Sequence, residues 1–122
     1  DPPQVTGAAM IEVEGGGASE VNGKYQRGRE LLDDDEWICP YFRDETWKGN
    51  KVQFWVYRKT TCDGSKYWFI GYSTATGSVI HGAHRTDLYR IRNSANSVLP
   101  PKSGWYAPFG SEGIGPAPKL KW

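Results

Sequence analysis

The chain predicts an all-β fold, a small antiparallel sheet or a sandwich or barrel of about six short strands, with an ordered Gly/Pro-rich C-terminal coil. Three observations predict it. Strand-favouring aromatics are dense, with six Trp, seven Tyr and four Phe in 122 residues. Fifteen Gly and eight Pro interrupt the chain too often for long helices. No segment carries the apolar period of an amphipathic helix. The length suits a single β domain over residues 1–122, with 102–122 as a wrapping coil.

In chain order, Val5–Val13 reads as the first strand, ended by Gly15-Gly16-Gly17. Asn22-Gly23 is a tight-turn signal, and Tyr25 starts a second short strand. Arg29–Glu36 is acidic around Leu31-Leu32, so one helical turn and a loop are equal readings. Trp37–Phe42 is strand-like, but Pro40 lacks an amide donor and restricts it to an edge or an irregular course. Thr46–Asn50 is the next turn.

The central hairpin joins Val52–Tyr57 to Tyr67–Tyr72. With Cys62–Ser65 as its turn, Trp55 lies opposite Tyr72, Tyr57 opposite Ile70, and Lys59 opposite Trp68. One face then holds Trp55, Tyr57, Trp68, Ile70 and Tyr72. The other holds Val52, Phe54, Val56, Tyr67 and Phe69, with Gly71. A slip of one residue would reassort both sets. A sheet with one buried face alternates apolar with polar residues. Here both faces are apolar, so the second must be covered by more protein or offered to a ligand.

Ser73–Ser78 reads as a loop, and Val79-Ile80 and Asp87–Arg92 as further strands. Pro100-Pro101 stops regular structure. The tail that follows holds Trp105, Tyr106, Phe109, Ile114, Leu120 and Trp122, which disordered tails avoid. Lys119–Lys121 can pair as a last strand.

Four phrases run in order across most of the chain: Val21-Asn22-Gly23-Lys24-Tyr25, Tyr67-Trp68-Phe69-Ile70, Leu99-Pro100-Pro101-Lys102-Ser103-Gly104-Trp105 and Gly115-Pro116-Ala117-Pro118-Lys119-Leu120. Together they resemble a small aromatic-rich β module, V-N-G-x-Y … W-x-I … P-P-x-x-G-W … P-A-P-x-L, found inside large multidomain proteins of protists and algae. The resemblance implies a binding or scaffolding module and brings no catalytic residues with it. Tyr67 and Phe69 thicken the aromatic middle beyond that pattern, and Arg29–Glu36 stands outside it.

Fifteen basic and fourteen acidic residues give a formal charge of +1. Such balance offers no electrostatic case for a nucleic acid or an anionic membrane as partner. No apolar run reaches the length of a membrane span. Cys39 and Cys62 are the only cysteines, and a disulfide and two thiols stay equally open. The chain opens on Asp1, which reads as a processed or excised chain. Its compartment is open; a disulfide would favour a secreted or organelle-lumenal one.

His81 and His84, with Asp87 nearby, could offer ligands to a metal, but such pairs normally come with a third or fourth ligand at workable spacing. Asp33–Glu36 lacks the spacing of a calcium loop. The Gly-rich segments lack the strand-to-helix context of a phosphate cradle. No G-x-S-x-G or paired Cys–His motif is present, so catalysis and cofactors are not expected. The candidate binding residues are Trp47, Trp55, Tyr57, Trp68, Tyr72 and Trp105, with Trp122 and the interleaved Lys51, Arg58, Lys59 and Lys66 beside them. Aromatic platforms stack sugars and bases. In a domain short of Leu and Ile, however, the aromatics are first of all the core.

The expected function is non-enzymatic binding: a protein–protein interaction domain or accessory subunit of a larger assembly. A carbohydrate-binding module using surface Trp and Tyr is the alternative, and a small hydrolase or lyase the third. Two or more of Trp47, Trp55, Trp68 and Trp105 coplanar on the surface would favour the sugar. Their burial, with an apolar patch meeting a neighbouring chain, would favour the assembly.

Overall fold

The structure is a computed structural model and describes residues 9–28, 31–33, 36–38, 40–73, 85–93 and 99–122. It is all-β. Among the described residues the only helical element is one 3-10 turn, Ser19–Val21. Among the described residues seven antiparallel strands form a curled half-barrel sheet. In chain order the strands are β1 (Met10–Glu14), β2 (Gly23–Arg27), β3 (Leu31–Asp33), β4 (Glu36–Ile38), β5 (Tyr41–Trp47), β6 (Asn50–Thr60), β7 (Lys66–Ser73), β8 (Arg85–Arg92) and β9 (Lys119–Lys121). The main sheet runs β8-β7-β6-β5-β2-β1-β9, and β3 and β4 pair separately.

Turn chemistry explains the two long hairpins. Between β5 and β6 only Lys48 and Gly49 are unpaired, both at positive φ (49° and 83°). That is the two-residue connection whose twist suits antiparallel strands. Between β6 and β7, Gly64 at φ 86° shortens the turn to Cys62–Gly64. The Gly64 amide donates to Thr61 O (2.9 Å), and the Thr61 amide to Ser65 O (2.7 Å). A type I turn ending in a left-handed glycine closes a three-residue loop.

This three-residue loop corrects the register expected from a Cys62–Ser65 turn. Trp55 lies opposite Gly71, Tyr57 opposite Phe69, and Lys59 opposite Tyr67. The shift is one residue, so the predicted faces are reassorted. Phe54, Val56, Trp68 and Ile70 share the inner core, joined by Ile11, Val13, Tyr25 and Leu120. Trp55, Tyr57 and Phe69 form a second cluster on the opposite face.

Two other expectations need correction. The segment around Leu31-Leu32 is neither a helical turn nor a loop but the paired strands β3 and β4. Asn22-Gly23 is not the centre of a tight turn. The Asn22 side chain clamps Gly16, accepting from its amide (2.9 Å) and donating to its carbonyl (3.1 Å), and β2 starts at Gly23. Pro40 lies between β4 and β5, which belong to different sheets. Residues 1–8, Cys39, the 74–80 segment, His81 and His84 lie outside the described residues. Cys62 is an exposed free cysteine.

β2 and β5 pair over only two residues, Gln26↔Phe42 and Arg27↔Tyr41. Arg43 fills the splay beyond them. Its guanidinium donates to the carbonyls of Glu20 (3.0 Å) and Asn22, pairs with Glu45 (2.8 Å) and lies over the Tyr25 ring. A Cβ on Gly23 would stand 2.7 Å from it, and φ there is 143°, a backbone that side chains rarely adopt, so the position favours glycine. The Tyr25 hydroxyl donates to Val21 O at 2.6 Å, and burial pushes its ionisation well above the ordinary phenol range.

β8 carries a bulge opposite Ile70/Gly71, which leaves Leu88 without a partner on β7. Consecutive residues Leu88 and Tyr89 therefore both reach the inner core. A Cβ on Gly71 would lie 2.4 Å from Thr86 O, so the close approach at this bulge requires glycine. The end strands meet a common segment. Arg90 and Tyr106 exchange backbone hydrogen bonds (2.9 and 3.1 Å), and the Leu120 amide donates to Lys102 O (2.8 Å). Residues 102–106 thus touch both β8 and β9.

Candidate functional site

The six residues singled out in the sequence fall on two faces of the sheet. Trp47, Trp68, Tyr72 and Trp105 belong to or pack on the inner core. Trp47 lies 5.7 Å from Tyr72 and edge-on to Phe54 at 5.9 Å. The Trp105 indole donates to Pro101 O at 2.8 Å, while Trp68 Nε1 finds no acceptor among the described residues. Trp55 and Tyr57 stand on the other face. Trp55 Nε1 donates to Ser73 Oγ (3.2 Å), and Tyr57 donates to Asp87 Oδ1 (2.5 Å). Tyr57 stacks on Phe69 at 5.4 Å.

Trp47, Trp55, Trp68 and Trp105 are all buried. None offers a platform to solvent. Ile38 of β4 belongs to the Trp55–Tyr57–Phe69 cluster, so the small hairpin supplies part of the cover over that face. Glu36 clamps it there, accepting from the Thr60 amide (2.9 Å) and hydroxyl (2.7 Å), with Lys59 Nζ at 3.8 Å. At the rim, the Arg90 guanidinium lies 4.8 Å over Tyr67 and donates to the Tyr106 hydroxyl at 2.9 Å. Arg58, Lys59 and Lys66 remain on β6 and β7, and Lys51 on β6 is exposed.

The large apolar groups that do face solvent were not among the six. Among the described residues they are Met10, Tyr106, Phe109, Ile114 and Trp122. Phe109 is fully exposed at 108%. It sits in a β-turn closed by the Ser111 amide on Pro108 O (3.0 Å), with Gly110 at φ 82° after it. Pro-Phe-Gly was the available sequence signal. A phenylalanine held between turn residues has no strand face on which to be buried.

The turn is tied to the sheet on several sides. Ser111 Oγ donates to Leu88 O, the carbonyl at the β8 bulge, at 3.0 Å. The Gly113 amide donates to Ser111 Oγ (3.2 Å), and the Tyr89 hydroxyl donates to Ile114 O (2.6 Å). Glu112 accepts from Lys48 (3.0 Å) and from the Tyr72 hydroxyl (3.2 Å). The Lys48 hydrogen bond holds the Glu112 carboxyl below its ordinary range, and Glu112 raises Lys48 in return.

Among the described residues no three His, Cys, Asp or Glu side chains come together as a metal site. No described helix is long and apolar enough to cross a membrane. No family model, curated protein or solved structure matches the chain.

Proposed function

We propose that this chain is a non-catalytic protein-binding module, an interaction domain or accessory subunit of a larger assembly. In this reading it acts as one β domain, and its Gly/Pro-rich end is an ordered coil that presents the contact surface. The observation that carries the proposal is Phe109, fully exposed on a turn held by Ser111, Glu112 and Ile114. Aromatic side chains are enriched at interfaces, where they fill apolar sockets on the partner. A side chain carried on a backbone turn that is held in advance leaves less chain to order on binding than one on a loose loop. Ile114, 57% exposed in the same segment, adds apolar area, and the Lys48–Glu112 pair supplies a charged border. The partner is therefore a protein with an apolar socket rimmed by polar groups.

Selection of ligands from a displayed random-peptide library tests this. A selected peptide is then titrated by calorimetry against the wild type and F109S. The expected result is saturable binding that weakens about tenfold or more in F109S, with an unchanged unfolding curve. Selected peptides that bind the variant equally well would overturn the assignment.

A further inference from the structure

A second surface lies at the other end of the sheet order, on β1, β2 and β9. Met10, Glu12, Lys24, Lys121 and Trp122 line an open cleft of about 290 Å³. Met10 is 51% and Trp122 44% exposed. Single exposed apolar residues are ordinary. Here an indole and a thioether share one concavity, and charges surround them.

Those charges are unequal in their company. Lys121 is neutralised between Glu12 (3.5 Å) and Glu14 (3.4 Å). Lys102 stands with Nζ 4.3 Å from the centre of the Trp122 ring. Lys24 stands cross-strand from Glu12 without an ion pair to it, and Lys102 makes no ion pair among the described residues. The cleft thus joins an apolar floor, one closed ion-pair group and the Lys24 ammonium, while Lys102 lies against the Trp122 ring outside the lining.

We propose that this cleft binds an acidic sugar, a pyranose ring bearing a carboxylate. The apolar C–H face of the ring packs against Trp122 and Met10, as aromatic surfaces accept sugar rings. Its hydroxyls meet Glu12 and Lys121, which can accept and donate. Its carboxylate answers the positive charge of Lys24. A volume near the lower bound of ligand pockets suits one ring and little more. A phosphate dianion fits less well, because Glu12 and Glu14 border the same ground.

The indole N–H signals in proton–nitrogen NMR report the site directly. Glucuronate and a short oligogalacturonate serve as probes, separating a free acid from a chain residue. The expected result is a saturable shift of the Trp122 indole with either probe, while the buried indoles stay still. W122A removes binding, and K24Q weakens it about threefold in low salt, as expected for one exposed charge contact. Unmoved buried-indole signals in both variants show that the fold is kept. A Trp122 signal that does not move overturns the proposal. So does equal binding of a neutral glucose oligomer or of a nucleoside monophosphate. None of these outcomes touches the Phe109 surface, which uses other residues.

Discussion

The Ser111 hydroxyl donates to the Leu88 carbonyl at 3.0 Å, so the residue left over by the β8 bulge anchors the turn that carries Phe109. A bulge frees a backbone group that must be satisfied elsewhere. Here its acceptor is used to hold a loop. Ser111→Ala removes the hydroxyl and leaves Phe109 in place. The expected cost is about 1 kcal/mol of stability by urea unfolding. Amide exchange at residues 109–113 should also quicken, and ligands selected through Phe109 should bind more weakly. Unchanged exchange there would show that Ser111 does not hold the turn.

Gly64 offers a purely conformational test. A Cβ at this position meets nothing within 4 Å, yet φ is 86°. Gly64→Ala should therefore destabilise by about 1–2 kcal/mol through backbone strain alone. Gly64→Asn should cost less, because Asn tolerates the left-handed region better. Urea midpoints of the two variants give the comparison. Equal midpoints for Ala and Asn would contradict the strained-turn account.

That turn also marks where the sequence stopped being legible. The aromatic runs of β6 and β7 fix the strands and the all-β class, because no helix period competes with them. Register is different. Both strands are apolar at odd and even positions, so alternation cannot choose between neighbouring pairings. The deciding fact is whether Gly64 or Ser65 ends the loop, a matter of one φ angle. A Cys62–Ser65 turn would group Trp55 and Trp68 on one face, and the structure puts them on opposite faces. β3 and β4 were hidden for another reason. Three-residue strands are too short to show a period. Phe109 was visible as Pro-Phe-Gly, but aromatic content in the tail reads equally as cover for the sheet.

Arg43 should prove structural despite its charge. Its side chain is only 21% exposed and it satisfies two carbonyls where β2 and β5 part. Arg43→Met leaves those carbonyls without a donor, at an expected cost of about 2 kcal/mol. Arg43→Lys keeps the charge but loses the planar fork, so it should recover less than half of this. Thermal unfolding of the three proteins decides between a hydrogen-bonding role and a mere charge role. Full rescue by Lys would favour the latter.

Asp63 predicts a defined acid response. Hydrogen bonds from the Thr61 hydroxyl (2.5 Å) and the Ser65 amide (2.9 Å) pull its carboxyl down to about 2. The folded value is below the ordinary unfolded one, so the ionised form is favoured by folding. Its stabilisation is complete above the unfolded Asp value of about 4 and is lost as pH falls through about 2. Carbon-detected NMR titration should place the Asp63 midpoint near 2. Asp63→Asn should flatten the pH dependence of stability in that window. A midpoint near 4 would mean that the turn hydrogen bonds do not persist in solution.

Trp105 and Phe109 give the sharpest separation of structure from function, because they are four residues apart and opposite in burial. Trp105 packs in the inner core and donates to Pro101 O. Phe109 touches solvent on all sides. Trp105→Ala should cost about 3–5 kcal/mol, the usual penalty for a cavity left by a buried aromatic. It should also loosen residues 102–106, which hydrogen-bond to β8 and β9 at once, so both end strands should gain amide exchange. Phe109→Ala, by contrast, should change stability by less than about 0.5 kcal/mol, as surface substitutions do. The reverse pattern would place Phe109 in the core and end its role as a contact residue. Comparable losses in both variants would do the same. Only a large loss for Trp105 with none for Phe109 leaves an exposed aromatic that folding does not require.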